Sequence, residues 1–282
     1  DWIQTCALPI LTNMPAYSGS TSIAPIDFSE GSSTRYSATT TDYCGYSTST
    51  SAYYGCNVWG SKTTMLDANG KNITKMARQV GSSTTYNLPS EESYINTYLN
   101  GTYYNSLSVT AKSQIGEHSF NVGLQDEVSS DTLANDVSNE KASTWKGTVG
   151  LIQATDYVKA STNSSCTNIY NGSYNNSSYP CKNNNYLNNS TNYWTISPNS
   201  DSSSRPMWFV NGTGFLSVTA SSSGSNIRPV VYLKSGLSLN GSGTKSDPYQ
   251  ILNGPKTARL EKATFTEAGT NPKEVTITYP SG

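Results

Sequence analysis

The chain has 282 residues and a formal net charge of −1, and charged residues make up only 13% of it. An ordinary soluble domain has roughly 25% charged residues, so this surface must rely on its many Tyr, Ser, Thr and Asn side chains for hydration. A net charge near zero provides no long-range attraction, which argues against nucleic acid as a partner. No apolar run approaches the roughly 18 residues of a membrane span, so we expect no membrane insertion by this chain.

Two segments at the start of the chain are expected to lie outside the folded domain. Residues 1–10, DWIQTCALPI, resemble the translated end of a sequencing adapter, and they lack the basic start and continuous apolar stretch of a targeting peptide. Residues 11–41 carry Ser, Thr and Gly with scattered apolar residues, which indicates a linker or a remnant of a preceding module. Cys6 is therefore left out of the cysteine pairing.

The other four cysteines fall into two local pairs, Cys44 with Cys56 and Cys166 with Cys181. Each pair would close a short loop rich in Tyr, Ser and Asn, which cannot bury enough apolar surface to order itself. A disulfide across such a loop contributes about 3 kcal/mol, so we predict two disulfides in an oxidising compartment. Free thiols and other pairings remain alternatives. Zinc is disfavoured, because chelating pairs have spacings of about two to four residues.

Short helices and strands alternate along the middle of the chain. Capping residues and apolar spacing predict them in this order: a helix from Ser90 through Ile95 and Leu99 to a stop at Asn100-Gly101, a helix over 108–115, a strand over 148–152, a helix capped by Thr155 or Asp156, and a helical turn at Tyr186-Leu187. Helices this short are not stable alone. We therefore expect them to pack on a sheet in an α+β domain.

Two alternating apolar runs, MWFV at 207–210 and FLSV at 215–218, flank the sequence NGTG at 211–214. Period-two runs predict half-buried strands, and Asn-Gly adopts the positive φ angles of a tight turn, so this segment predicts a β-hairpin. A final strand is predicted at 248–252, after a turn at 241–246.

Several blocks of the sequence resemble a domain of unknown function found in surface proteins of Gram-positive gut bacteria. The blocks are CNVWGSKTT from Cys56, YINTYLNGTYY from Tyr94, TWKGTVGL from Thr144, YWTISP from Tyr193, MWFVNGTG from Met207 and IRPVVYL from Ile227. Their order is similar to that of the C-type-lectin-like fold shared by formylglycine-generating enzymes and phage tropism proteins. The resemblance covers residues 42–252 and implies a lectin-like α+β domain there. Residues 253–282 resemble a linker and the opening hairpin of a truncated immunoglobulin-like repeat.

The resemblance also implies which side chains fill the core and which face outward. It places Trp59, Trp145, Trp194 and Trp208 inside, with the Arg228 guanidinium satisfying buried carbonyl groups. Ligands of this fold meet its late loops, where Tyr offers large contact area and Asn and Ser adapt their hydrogen bonds. The candidate ligand-binding residues are Tyr170, Tyr174, Tyr179, Asn199, Asp201 and Arg205. The alternative is that these polar residues are only a solvated surface.

No catalytic, metal or cofactor site is predicted. His118, the only histidine, has no identifiable nucleophile and carboxylate partner, and we expect a structural histidine at the end of the 108–115 helix. The GSGTKS sequence at 241–246 lacks the first glycine of a phosphate loop. The two late cysteines bracket a polar tract instead of forming a copper-binding thiolate pair, and the paired motifs of calcium-dependent lectins are missing.

The sequence thus predicts an extracellular or cell-surface module that acts as a non-catalytic adhesin. Its partner would be a glycan or protein on a host or microbial surface, bound through the late loops. A structural spacer or pilin-like stalk domain is the alternative. A third possibility, an enzyme like the formylglycine-generating enzymes, would require two thiolates or a His–carboxylate pair that converge in one pocket.

Overall fold

The computed structural model of the chain describes residues 41–44, 46–47, 52–53, 56–173, 176–188, 190–200, 206–220, 225–242, 247 and 249–252. The chain divides into two compact units, the first ending at Lys234 and the second beginning at Ser235. Of the flanking pieces that the sequence predicts, 1–10 and 253–282 lie outside the described residues, as does 11–41 except for residue 41.

Short helices and strands alternate throughout the described chain. The helices are α1 Tyr94–Tyr98, α2 Tyr104–Ser106, α3 Val109–Gln114, α4 Leu133–Lys141, α5 Ala154–Lys159 and α6 Ile169–Gly172, with a π-helical turn at Leu99–Tyr103 and a 3-10 turn at Pro180–Lys182. The strands are β1 Tyr46–Ser47, β2 Ala52–Tyr53, β3 Met65–Asp67, β4 Lys75–Ala77, β5 Thr85–Asn87, β6 Ile115–Gly116, β7 His118–Asn121, β8 Ser143–Gly147, β9 Val149–Gly150, β10 Tyr193–Pro198, β11 Pro206–Val210, β12 Leu216–Ala220, β13 Val230–Leu233, β14 Leu239–Asn240 and β15 Gln250–Ile251.

The strands pair into small antiparallel sheets. Within the described residues, the three-stranded sheets have the orders β3-β8-β7, β6-β13-β9 and β10-β11-β12, and the two-stranded ones are β1-β2, β4-β5 and β14-β15. Together with the short helices they make a mixed α+β structure, as predicted. No described helix is both long and apolar enough to cross a membrane.

The predicted hairpin is confirmed as β11 and β12, which pair in register from Pro206↔Ala220 to Val210↔Leu216. The positive φ angle falls on Gly214, at 86°, and not on Gly212 as expected from the Asn-Gly pair. The Asn211 side chain instead accepts hydrogen bonds from the Thr213 backbone N–H and hydroxyl, both at 2.6 Å. This local Asn211–Thr213 contact orders the turn and leaves the left-handed position to the second glycine.

The tryptophans that the resemblance assigns to the core are buried. Trp59, Trp194 and Trp208 are fully buried and Trp145 is 4% exposed; the rings of Trp59 and Trp145 meet edge to face with centroids 5.8 Å apart. Such aromatic pairs contribute stability beyond their buried area. These side chains therefore hold several of the small sheets on one shared core.

Arg228 is buried against the core and bonds one carbonyl group. Its side chain is 9% exposed, its Nη1 donates to the Leu187 carbonyl at 2.7 Å, and the guanidinium lies 4.4 Å from the Tyr193 ring centroid. A carbonyl and an aromatic face thus meet part of the charge, while Nε has no hydrogen-bond partner.

The first predicted helix begins and ends differently from expectation. Ser93, not Ser90, caps α1 by accepting from the Asn96 N–H, and the helical path continues through Asn100-Gly101 into α2. Asn100 does not stop the helix because its side chain is engaged elsewhere: its amide donates to the Val149 carbonyl at 2.9 Å and its oxygen accepts from the Val149 N–H at 3.0 Å. A tertiary contact therefore overrides the local stop signal.

The other local predictions meet mixed outcomes. The 108–115 helix is confirmed as α3 with Ser108 as its cap, and the strand predicted at 148–152 is present only as the two residues of β9, Val149–Gly150. The cap of α5 is Gln153, with Asp156 completing the capping box. Tyr186-Leu187 is a turn without helix, because the Asn185 side chain accepts from the Leu187 N–H at 2.9 Å. Helix α4 was not predicted.

The second unit contains part of the predicted final strand, as β15, together with a partner strand β14 that the sequence did not predict. Strands β14 and β15 pair with Leu239↔Ile251 and Asn240↔Gln250. The Asp247 carboxylate accepts from the Ser242 N–H at 2.7 Å. Most of the turn predicted at 241–246 lies outside the described residues.

Candidate functional site

Both predicted disulfides are present. Cys44 is bonded to Cys56, with Cα atoms 4.7 Å apart, and Cys166 to Cys181, with Cα atoms 4.8 Å apart. The second bond closes the segment 166–181, which we call the disulfide loop. It contains α6 and ends in the 3-10 turn.

The disulfide loop is docked on the β11–β12 hairpin. Ser173 forms a parallel bridge with Leu216 at the start of β12. Gly172 packs so closely there that a Cβ on it would lie 3.1 Å from a Leu216 methyl carbon. From α5 beneath, the Tyr157 hydroxyl donates to the Gly214 carbonyl at 2.7 Å. The loop and the hairpin turn thus share one supported surface.

An aromatic pair lies across this junction. The Tyr179 ring stacks on Phe215, with centroids 5.1 Å apart and planes at 22°, and the Lys182 ammonium lies 5.1 Å from the Tyr179 centroid. Both aromatic rings are half-buried. Tyr179 has φ 40° and ψ 52°, a left-handed conformation that is uncommon for a bulky residue. Tyr179 and Phe215 together form what we call the aromatic pair.

The structure places the other predicted ligand-binding residues as follows. Tyr170 is half-buried on α6. Tyr174, Asp201 and Arg205 lie outside the described residues. The expectation that Asn199 is exposed is wrong, since it is only 7% exposed.

Asn199 is buried because its backbone pairs on both sides. Its N–H donates to the Pro206 carbonyl at 3.0 Å, and its carbonyl accepts from the Asn57 side chain at 3.1 Å. It also bridges to Gln125. The residue therefore fastens the end of β10 to the core.

His118 lies in β7, not at the end of α3 as predicted. Its ring stacks on Tyr232, with centroids 3.4 Å apart and planes at 19°, and meets Phe120 edge to face at 5.6 Å. Burial lowers the pKa of His118, so the neutral imidazole is favoured in this aromatic contact.

The residues that the sequence prediction missed are two buried carboxylic acids of α4. Asp136 is 2% exposed and Glu140 is 1% exposed. They stand four residues apart, so they share one helix face. The helix begins with a capping box in which Thr132 and Asn135 exchange side-chain-to-backbone hydrogen bonds at 3.3 and 3.0 Å.

Glu140 joins α4 to α5 and β10. Its carboxyl group accepts from the Ser197 hydroxyl at 2.8 Å, from the Thr155 N–H at 3.2 Å, and from the Thr155 hydroxyl. Ser197 in turn accepts from the Ala154 N–H at 3.0 Å. Burial raises the pKa of Glu140 to about 7, and the nearby Asp156 adds to that rise.

Asp136 belongs to an acidic cluster with Asp126 and Asp131. One carboxylate oxygen from each lies within 4.8 Å of the others. The Ile169 N–H donates to Asp136 at 2.8 Å, and the Asn168 side chain donates to the Asp131 carbonyl at 2.6 Å. The cluster therefore sits against the start of α6, at the base of the disulfide loop.

Only part of this arrangement has a sequence signal. The Thr132–Asn135 capping box and the four-residue spacing of Asp136 and Glu140 both indicate a helix. The spacing of Asp126, Asp131 and Asp136, five residues each, matches neither a helical nor a strand face. Their convergence is produced by the turn at 128–131 and by contacts with α6.

Comparison with known protein families, with curated proteins and with solved structures finds no match to this chain.

Proposed function

We propose that the chain is an extracellular recognition module of a bacterial surface protein, with the C-type-lectin-like fold that its sequence blocks resemble. It acts as an adhesin and binds a glycan or a protein on another surface without catalysing a reaction. The aromatic pair, Tyr179 on Phe215 beside Lys182, is the observation that carries this proposal.

The surface around the aromatic pair is held before any ligand arrives. The Cys166–Cys181 bond closes the loop, and the Ser173–Leu216 bridge fixes it to the hairpin. Ordering a loop at the moment of binding costs free energy, so a surface ordered in advance binds more tightly. This support favours a binding surface over an incidental polar loop.

The backbone of Tyr179 also supports a binding role. Its left-handed conformation is disfavoured for a bulky residue, and more so before a proline such as Pro180. Backbone strain of this kind clusters at ligand-binding sites, where the surrounding structure maintains it. This conformation directs the Tyr179 ring onto Phe215, so that the two rings stack with their planes nearly parallel.

The chemistry of the surface fits a ligand with an apolar face and a polar rim. The stacked rings supply flat contact area at low entropy cost, while the Tyr179 hydroxyl and the Lys182 ammonium supply polar contacts at the edge. Sugar rings and protein side chains both have such faces. A non-catalytic role is supported by the pairing of Cys166 with Cys181, because a disulfide supplies no thiolate.

The experiment is binding of the oxidised 282-residue chain to a glycan array and to an array of host surface proteins. We expect specific binding that falls about 30-fold in Tyr179→Ala, the loss of one hot-spot contact. Tyr104→Ala is the matched control, because Tyr104 also lies beside a lysine, with the Lys112 ammonium 5.9 Å from its ring centroid.

Thermal unfolding of each variant would confirm that it remains folded. An equal loss of binding affinity in Tyr179→Ala and Tyr104→Ala would refute the proposal, and so would no binding by the unmodified chain on either array. The second result would favour the structural spacer.

A further inference from the structure

We propose that the Arg228 guanidinium forms the base of a binding site for a carboxylate group. The site lies where Leu187 meets Tyr193 at the start of β10, and it includes neither ring of the aromatic pair. The proposal does not depend on the recognition function, because it follows from the way in which the fold holds this one charged group.

The fold leaves most of the Arg228 guanidinium without an acceptor. A guanidinium has about five N–H donors, and within the described residues only Nη1 finds an acceptor, the Leu187 carbonyl at 2.7 Å. Nε is buried and has no partner. None of the described residues accepts from Nη2 either, but this atom is not sealed from solvent as Nε is. The edge formed by Nη1 and Nη2 is therefore the part that a ligand can reach.

No described carboxylate balances the charge of Arg228. The residue is 9% exposed, yet the ion pairs among the described residues are Lys146 with Glu117 and Lys159 with Asp156. Between 157 and 246 the only acidic residue is Asp201, which lies outside the described residues. A charge taken out of water without a counter-charge is costly, so buried charges are as a rule paired. An anion from outside would supply the missing charge.

Tyr193 orients the guanidinium without neutralising it. Its ring centroid lies 4.4 Å from the Arg228 Cζ, which gives a cation–π contact. Its hydroxyl donates to the same Leu187 carbonyl at 2.7 Å. Burial raises the pKa of Tyr193, and the Arg228 charge acts against that rise, so the phenol keeps its proton and carries no negative charge.

Hydrogen bonds on both sides hold Arg228 in place before any ligand arrives. The Leu187 N–H donates to the Asn185 side chain at 2.9 Å, and the Asn185 amide donates to two further carbonyl groups, both at 2.8 Å. On the other side, the Trp194 N–H donates to the Asn226 carbonyl at 3.0 Å, two residues before Arg228. A donor that is fixed in advance loses little entropy when it binds.

The chemistry of the site selects a carboxylate among anions. A planar carboxylate accepts from two guanidinium nitrogens at once, and its single charge is balanced by the single charge of Arg228. Sulfate and phosphate carry more charge, which one guanidinium leaves partly unbalanced. The exposed Asn192 and Asn226 lie beside the site, where the Asn226 N–H donates to the Asn192 carbonyl at 3.1 Å. Such a carboxylate occurs both on acidic sugars and at the end of a peptide.

The test is an NMR titration of the ¹⁵N-labelled full chain with sodium acetate at constant ionic strength. We expect the Arg228 Nε–H and Leu187 amide signals to shift with a Kd of about 1 mM, and to shift less with sodium chloride or sulfate. Arg78 is the internal control, because its Cζ also lies on a tyrosine ring, 3.5 Å from the Tyr86 centroid, and its buried Nε also has no partner. It bonds the carbonyl of an acidic residue, Asp42, so its signal should not move.

Two variants separate a ligand-binding role from a structural one. Arg228→Met removes the charge, while the Tyr193 hydroxyl remains as a donor to the Leu187 carbonyl, so Tm without acetate should stay or rise. The acetate-dependent shift of the Leu187 amide should disappear. Arg228→Lys keeps the charge but loses the planar pair of donors, and it should weaken acetate binding by about tenfold. Arg78→Lys should bind acetate as the unmodified chain does.

Titrations with glucuronate and with N-acetylglycine distinguish the two sources of the carboxylate. Tighter binding of glucuronate than of acetate identifies an acidic sugar, and tighter binding of N-acetylglycine identifies a peptide end. Equal shifts with acetate and sodium chloride, an equal shift at Arg78, or unchanged acetate affinity in Arg228→Met would overturn the proposal. So would a lower Tm in Asp201→Asn that acetate restores, because the fold would then supply its own carboxylate to Arg228.

Discussion

Helix α4 and the β11–β12 hairpin are both held in the core, but by opposite means. The hairpin buries apolar side chains: Trp208, Val210 and Leu216 are all fully buried. Helix α4 buries carboxylic acids, Asp136 and Glu140, at 2% and 1% exposure. One element depends on area removed from water and the other on directed hydrogen bonds.

The difference predicts how each element responds to its surroundings. Apolar burial does not depend on proton concentration, so the hairpin should be insensitive to pH. The carboxyl groups of α4 change charge with pH, so the stability of that helix should depend on pH. Substitutions in the hairpin and in α4 can separate stabilisation by apolar burial from stabilisation by hydrogen-bonded carboxyl groups.

The largest effect is expected in the hairpin. Trp208→Ala should lower the free energy of unfolding by about 3–5 kcal/mol, because it leaves a cavity in a close-packed core. It also removes the indole hydrogen bond to the Gln125 carbonyl. Urea unfolding measures the change.

Its control is Val218→Ala, because Val218 pairs with Trp208 across the strands but is 38% exposed. That change should cost well under about 1 kcal/mol. Equal losses in the two variants would show that apolar burial does not hold the hairpin.

The second effect is a pH dependence that belongs to α4. Burial raises the pKa of folded Glu140 from 4.5 to about 7, so folding favours its neutral form. Its contribution is complete below pH 4.5 and is lost as pH rises through about 7, a loss of about 3 kcal/mol. Glu140→Gln, which is neutral at every pH, should remove this loss.

Urea unfolding from pH 4 to 8 gives the free energy of unfolding of the unmodified chain and of Glu140→Gln. The difference between the two pH profiles isolates the contribution of Glu140, since all other groups titrate in both proteins. Glu117→Gln, at an exposed carboxylate, should leave the pH profile unchanged. A profile for Glu140→Gln that runs parallel to the unmodified chain would contradict the assignment.

The same contrast explains what the sequence could predict. The hairpin has an alternating apolar pattern and a turn sequence at 211–214, and both signals are local. The two disulfides were predictable because each cysteine lies close in sequence to its partner. Helix α4, with the sequence LANDVSNEK, has no apolar stripe, and its burial depends on Thr155 and Ser197, which no local pattern reveals.

The candidate sites divide in the same way. Tyr179 was predicted from the composition of its loop, but its partner Phe215 was assigned only to a strand. Asn199 was predicted to be exposed because the resemblance places it in a late loop, whereas long-range backbone pairing buries it. The acidic cluster was missed entirely, because tertiary contacts bring its members together.

The disulfide loop connects the two regions, so its removal should affect both. Its base meets α4, where Ile169 donates to Asp136, and its end meets the hairpin, where Tyr179 stacks on Phe215. Replacing Cys166 and Cys181 together by Ala should lower the free energy of unfolding by about 3 kcal/mol. Amide hydrogen exchange should also quicken in α4 and at the hairpin turn.

The matched control removes Cys44 and Cys56, whose loop is of similar length. Its loss of stability should be comparable, without faster exchange in α4 relative to the rest of the domain. The same exchange pattern in both double variants would show that the disulfide loop does not link the two regions.

The smallest effect concerns the start of α4. Thr132→Ala removes the hydroxyl that accepts from the Asn135 N–H and should cost about 1 kcal/mol. Because α4 lacks an apolar stripe, this loss should appear as faster exchange confined to the helix, while the β11–β12 amides remain protected. Ser108→Ala, which removes the corresponding cap of α3, should leave exchange in α4 unchanged. If Thr132→Ala quickened exchange equally in helix and hairpin, the two would unfold as one unit, and their different modes of burial would not confer separate stabilities.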